Sequence, residues 1–154
     1  MKFTNSLIKG KLLKRYKRFF ADIKVNNKII TAHCPNTGSM QGLLDEGNEV
    51  LVTEHDDPKR KLKFTLEIIK AKKRYVGVNT HRANKIVNHG LENKLISEFK
   101  TIKNIKPEFK FSDDTRFDFL CDNYLIEVKN VTLFRENDIA EFPDAVTSRG
   151  AKHL

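Results

Sequence analysis

The chain has 154 residues, with 29 Lys+Arg against 20 Asp+Glu for a formal net charge of +9, 39% hydrophobic residues and 11 phenylalanines. That length holds one full core or two small ones, and the composition excludes a disordered chain; with only Cys34 and Cys121 there is no disulfide scaffold and no CxxC pair to hold zinc. No apolar run approaches the roughly 18 residues of a membrane span and the start has no signal-peptide pattern, so a soluble cytoplasmic protein, with no membrane association and an acidic partner, is expected.

From Ser6 to Asn79 short apolar-alternating or β-branched runs are separated by turn residues, and no helical period is sustained. Strands are expected near Leu7 to Leu13, Phe19 to Val25, Ile29 to His33, Glu49 to Thr53, Leu62 to Ala71 and Arg74 to Val78, with Asn26-Asn27 as a tight turn because Asn tolerates positive φ. Five or six short strands over residues 1–79 predict a small closed or nearly closed barrel of the oligonucleotide-binding (OB) type, since closure removes exposed sheet edges.

Lys9, Lys11, Lys14, Arg15, Lys17 and Arg18 fall within ten residues, with Tyr16 and Phe19 interleaved. Cations supply phosphate contacts and aromatic faces accept stacked bases, so Arg15, Tyr16, Lys17, Arg18 and Phe19 are the candidate nucleic-acid contacts. The competing reading is a solvated strand edge whose lysines prevent edge-to-edge pairing. The loop from His33 to Met40 reads as a tight structural loop or as a phosphate-cradling nest that matches no P-loop spacing.

After Thr80 the pattern becomes helical. Thr80 is expected to cap a helix from His81 to His89 with Ala83, Ile86 and Val87 inward, Gly90 to end it, and Leu91 to Phe99 to form a second short helix. His81 and His89 read as exposed helical residues or, if carboxylates converge on them, as metal ligands. Residues 80–154 are taken as a second domain.

Arg116 to Cys121 and Tyr124 to Lys129 flank Asp122-Asn123, a two-residue hairpin turn. The register then places Cys121 opposite Tyr124, Leu120 opposite Leu125, Phe119 opposite Ile126 and Asp118 opposite Glu127. One face, Phe117, Phe119, Cys121, Tyr124, Ile126 and Val128, must be buried; the other carries Arg116, Asp118, Glu127 and Lys129. Pro107 to Phe111 alternates as a third strand, and an odd connection to Arg116 buries Phe109 and brings Glu108 opposite Asp118. Three carboxylates then converge with Cβ separations of roughly 4.5 to 5.5 Å between direct neighbours, which calls for a compensating cation.

Oxygen ligands without cysteine suit Mg²⁺ or Mn²⁺, with Asp118 and Glu127 as metal ligands and Lys129 placed to stabilise an attacking water or a pentavalent phosphate. Asp118 followed by Glu127-Val128-Lys129 resembles the PD-(D/E)xK nuclease signature. The alternative is a solvated face balanced by Lys110, Arg116 and Lys129, although such exposed pairs are each worth at most about 1 kcal/mol.

Arg15 to Phe19, His33 to Met40, Val78-Asn79-Thr80, Arg116 to Phe119, Glu127 to Leu133 and Phe142 to Gly150, continuing through His153-Leu154, together resemble the sugar fermentation stimulation protein A (SfsA) family of bacteria and archaea. The resemblance implies an α+β chain, an N-terminal OB-like barrel followed by a restriction-endonuclease-like α/β domain, and a DNA-binding protein linked to regulation of sugar utilisation. It also implies that Asp118, Glu127 and Lys129 fill the nuclease-motif positions with Glu108 and Arg116 beside them. Asp144, Thr147, Arg149, Lys152 and His153 belong to the family's second signature, where Asp144 and Arg149 support either a phosphate or a simple helix start. Family members run on past this signature, so the nuclease-like part is expected to be truncated at Leu154. Two functions remain open from sequence: a Mg²⁺-dependent phosphodiesterase acting on DNA, and a non-catalytic DNA-binding transcriptional regulator on the same scaffold.

Overall fold

The computed structural model describes residues 2–134 and 140–141. The six expected strands of the first half form as β1 (Leu7–Tyr16), β2 (Phe20–Val25), β3 (Lys28–His33), β4 (Glu49–Glu54), β5 (Phe64–Ala71) and β6 (Arg74–Gly77). They lie in the order β3-β2-β1-β4-β5-β6, and a parallel pairing of β3 with β5 closes β1 to β5 into a ring, the OB arrangement. The sixth strand adds to β5 outside that ring.

Alternation explains the closure: Leu12, Ala21, Ile23, Ala32, Val50, Val52, Leu66 and Ile69 point inward as one core, and Cys34, Met40 and Leu43 from the connection between β3 and β4 join it. Asn26 makes the β2–β3 turn with φ of 52°, as its side chain allows. Two features escaped the sequence. Gly10 lies where an added Cβ would meet Ile23 Cγ2 at 2.5 Å, so only glycine lets β1 and β2 approach. The β4–β5 register shifts between Leu51 and Val52, which leaves Glu67 as the extra residue of a bulge. Glu67 is buried there, accepting from the Thr53 hydroxyl at 2.8 Å and the Asn79 amide at 2.9 Å.

The chain divides into two compact units, Lys2–His81 with the described residues from Asn130 onward, and Arg82–Lys129. In the first, Asn130 Nδ2 donates to the Gly77 carbonyl at 3.2 Å, and the short strands β10 (Leu133–Phe134) and β11 (Ala140–Glu141) pair with each other.

Helix α1 runs from Thr80 to Glu92. Here the sequence expectation needs correction. Asn79 rather than Thr80 supplies the capping acceptor, its Oδ1 taking the His81 N–H at 3.2 Å, while the Thr80 hydroxyl donates to the Pro35 carbonyl at 2.6 Å. Gly90 does not end the helix; it is a buried helical residue whose Cβ would sit 3.2 Å from the Ile96 side chain. The helix therefore turns Leu91 into the core and leaves Ile86 outward, 58% exposed. Past it only a 3-10 turn forms, Ser97–Phe99, in place of a second α-helix.

The second unit's sheet is antiparallel in the order β7 (Ile105–Lys110), β8 (Arg116–Cys121), β9 (Tyr124–Ile126). Cys121 pairs with Tyr124, Leu120 with Leu125 and Phe119 with Ile126, as the two-residue turn requires; Asp122 takes φ of 48°. Lys110 pairs with Arg116 across an odd connection of residues 111–115, closed by the Phe111 N–H on the Thr115 carbonyl at 2.9 Å. Phe119 and Cys121 enter a core with Leu91 and Ile102, packed by Val87, Ile96, Phe99, Ile105, Ile126 and Val128. Tyr124 departs from the expected buried face: at the hairpin end it is 61% exposed and meets Phe99 edge to face at 5.8 Å.

Candidate functional site

Asp118 is the central carboxylate of the second unit's sheet. Its Oδ2 accepts the Val128 N–H at 2.6 Å and its Oδ1 accepts the Asn84 amide of α1 at 2.6 Å, so one bond ties it to the backbone just past β9, which ends at Ile126 rather than running to Lys129 as expected, and the other to the helix. The ladder between β8 and β9 ends at Phe119 and Ile126, and Glu127 is the next residue along, half-buried, with Oε1 accepting from Lys129 Nζ at 2.7 Å. Pro107 and Phe109 pair with Phe119 and Phe117, which puts Glu108 in register with Asp118.

Glu108 does not keep strand geometry: its φ is 51°, and its carboxylate lies 3.7 Å from Arg116 Nη1. Among the described residues no group of three or more His, Cys, Asp or Glu gathers closely enough to hold an ion. The three-carboxylate convergence expected from strand register is thus loosened, because each acid has a nearby donor: Asn84 and Val128 for Asp118, Lys129 for Glu127, Arg116 for Glu108. Asp144, Thr147, Arg149, Lys152 and His153 lie outside the described residues.

Glu108 and Asp118 share an open cleft of about 430 Å³ with Asn84, Lys85, Asn88, His89 and Glu92 of α1. The sequence reading missed this helix wall. The signal was present as Asn84, Asn88 and Glu92 at four-residue spacing, a polar stripe beside Lys85 and His89. His89, expected to be an exposed helical residue, is half-buried, and its Nδ1 lies 3.1 Å from the Asn93 amide.

The donors are carboxylate oxygens, the type a hard divalent ion takes, but two carboxylates alone would leave most of its ligands to water or phosphate. Asp118 and Glu127 offer carboxylate oxygens, and an Asp118 oxygen that accepts one N–H retains a second lone pair. The neighbouring hairpin turn is fixed independently: the Lys103 and Asn104 N–H groups donate to Asp122 at 3.1 and 3.0 Å, and these backbone bonds hold its pKa below the ordinary carboxylate range.

In the barrel, the five candidate nucleic-acid residues separate into two groups. Arg15 is turned inward, donating to the Arg18 carbonyl at 2.8 Å and the Asn36 carbonyl at 2.7 Å, which braces the hairpin and the loop after His33. Tyr16 stacks on Phe20 at 5.5 Å with Lys14 Nζ 5.4 Å from its ring, and donates to Asp22 Oδ1 at 3.2 Å. Lys17, Arg18 and Phe19 form the exposed hairpin tip, with left-handed φ of 47° and 62° at Lys17 and Arg18. Phe19 stacks on His33 at 6.4 Å, an aromatic neighbour that the sequence reading did not pair with it. Burial, aided by the Arg60 and His81 charges, lowers the His33 pKa.

The structure resembles that of Pyrococcus furiosus SfsA in complex with Ca²⁺, with a TM-score of 0.83 over 99% of this chain and 66% of that one; at 23% identity this likeness shows the fold. In sequence the chain is 66% identical to a sugar fermentation stimulation protein homolog of Pelagibacter ubique, over all of its own length and 68% of the relative's. It is 47% identical to one from Alteromonas mediterranea, of which it covers 69%. The family model of the SfsA N-terminal OB domain matches residues 13–78, and that of the sugar fermentation stimulation protein RE domain matches residues 81–154. The expectation drawn from the sequence blocks therefore holds, and the chain belongs to the sugar fermentation stimulation protein family.

Proposed function

We propose that this chain binds DNA through its barrel and carries, on the β8–β9 hairpin, a phosphodiesterase site that works with Mg²⁺ or Mn²⁺. The observation that carries the reading is the placement of Asp118, Glu127 and Lys129. Asp118 is clamped between helix α1 and the Val128 backbone, and Glu127, just past β9, already accepts from the Lys129 ammonium at 2.7 Å. Support also comes from the RE-domain description of the matching family and from the Ca²⁺ complex of the Pyrococcus protein. The whole activity belongs to a protein of which this chain spans about two thirds of the relatives' length.

Asp118 and Glu127 would hold the ion, which when bound polarises a phosphoryl group and lowers the pKa of a water. Asn84 and the Val128 N–H fix the Asp118 carboxylate, so little reorganisation accompanies ligand binding. Lys129, half-exposed beside Glu127, offers its ammonium to a phosphate oxygen, and Arg116 adds a second positive charge on the same face. The family's link to sugar utilisation is then served by acting on or binding DNA.

A specific observation favours the second reading, a non-catalytic DNA-binding regulator: both Asp118 oxygens and the Lys129 ammonium already have protein partners. Supercoiled-plasmid nicking with Mg²⁺ or Mn²⁺ separates the two. The enzyme reading expects nicking by the wild type, lost in Asp118→Asn and Lys129→Ala with DNA affinity kept within about threefold. Equal nicking by Asp118→Asn overturns the assigned site. Metal-dependent DNA binding without cleavage supports the regulator.

A further inference from the structure

The barrel's DNA contact can be taken further than charge, to the state of the strand it accepts. This inference rests on the DNA-binding reading. The β1–β2 hairpin tip is braced from beneath: Arg15 bridges the Arg18 and Asn36 carbonyls, and the Cys34 N–H donates to the Phe19 carbonyl at 2.7 Å. On this braced backbone Phe19 stays 43% exposed. One side of its ring stacks on His33, with centroids 6.4 Å apart and planes 20° from parallel. Tyr16, the neighbouring aromatic, already stacks on Phe20 and is no such platform.

The ladder carries His33 onward to a second loop. Phe20 pairs with His33, and His33 pairs with Thr65 at the start of β5. Arg60, in the loop between β4 and β5, donates to Thr65 Oγ1 at 2.8 Å, and Lys59, Lys61 and Lys63 of the same loop are exposed. The β1–β2 tip and the β4–β5 loop are thus joined at one end of the barrel by a two-residue step through His33 and Thr65. Two cation-bearing loops therefore share the end of the barrel that carries one exposed, backed aromatic face.

We propose that this end of the barrel takes single-stranded DNA, with a base stacked on Phe19 over His33 and the backbone held between Lys17 and Arg18 on one loop and the β4–β5 lysines on the other. The preference for an unpaired strand follows from the ring. A duplex keeps its base faces stacked on each other and can use only the cations, whereas a single strand offers a free π-face and gains from Phe19 as well.

The test is fluorescence anisotropy on the full chain with a labelled oligothymidine and a duplex of equal length, at two salt concentrations without divalent metal. Tighter binding of the single strand is expected, weakened roughly ten- to a hundred-fold by Phe19→Ala and restored by Phe19→Tyr, while duplex affinity hardly moves. Lys17→Ala/Arg18→Ala should weaken both ligands and lower the salt slope. The Phe19 backbone, which makes the tip's hydrogen bonds, is retained in every variant, and thermal melts confirm folding. Salt-dependent duplex binding as tight as the single strand's, indifferent to Phe19→Ala, overturns the strand preference and leaves DNA binding standing. Absence of binding to either ligand overturns both.

Discussion

At the scale of single residues, the structure turns on contacts that allow little substitution. Gly10→Ala would drive a methyl to 2.5 Å from Ile23 Cγ2 with the Lys24 carbonyl at 3.0 Å, and relief requires moving β2 away from β1. A loss of about 1 to 3 kcal/mol is expected, read as a lower urea midpoint at unchanged slope; an unchanged midpoint contradicts the close approach. Asn84 is a positioning residue for Asp118, its amide 2.6 Å from Oδ1. Asn84→Ala should weaken Mn²⁺ binding by roughly ten- to a hundred-fold, the usual effect of removing a group that orients a ligand. Asn84→Asp places a second carboxylate there in place of the donor and should not rescue the orientation. Metal affinity unaffected in Asn84→Ala would show that Asp118 holds itself. The Asn84, Asn88 and Glu92 stripe was visible in sequence, but Asn84's partner was not legible, since nothing local points to an acid thirty-four positions away.

Among the elements, the strand registers were legible, and the helix was legible in its place but not in its cap, its end or the outward turn of Ile86. Two-residue turns at Asn26-Asn27 and Asp122-Asn123 fix their registers by geometry, so once the turn is recognised every cross-strand partner follows, as Cys121 with Tyr124 and Phe119 with Ile126 do. In contrast, the phase of α1 depends on what packs against it. Gly90 reads locally as a stop signal, yet Ile96 folds against it and the helix continues to Glu92. Leu91→Ala should therefore cost about 2 to 5 kcal/mol and Ile86→Ala within about 0.5 kcal/mol. Chemical denaturation checks the pair, and the reverse order of costs contradicts the helix phase. Register alone predicts a convergence of Glu108, Asp118 and Glu127, of which the observed pairs keep only Glu108 alongside Asp118; the end of β9 at Ile126, the positive φ at Glu108 and the donors Arg116 and Lys129 are tertiary details that register does not contain.

Over the whole molecule, charge and titration set the conditions in which the fold and its ligand contacts work. Among the described residues no helix is long and apolar enough to cross a membrane, and the net charge of +9 favours polyanions. Glu49, hydrogen-bonded by Lys9 and Tyr75, Glu98, bonded by Ser97, and Asp122, bonded by the Asn104 and Lys103 backbone, all have lowered pKa values. A carboxylate depressed in the folded state contributes stability that is present above its unfolded pKa and lost as pH falls through its folded value. His33, lowered by burial and then by Arg60 and His81, acts in the same direction: the fold disfavours its charged form, so stability falls as pH drops below the ordinary histidine range. Melting temperature should therefore fall on acidification, first below about pH 6.5 through His33 and again below about pH 4 through the carboxylates. His33→Gln should remove the first phase; its persistence in that variant would assign it to another group.

The most direct test of the account is calorimetric titration of Mn²⁺ into the wild-type chain and into Asp118→Asn, with thermal melts of both as a control on folding. Saturable binding by the wild type, lost in an equally well-folded Asp118→Asn, is the predicted result and places a divalent-ion site on the β8–β9 hairpin. A folded wild type that binds no ion, or an Asp118→Asn chain that binds as tightly, would contradict the metal-dependent reading.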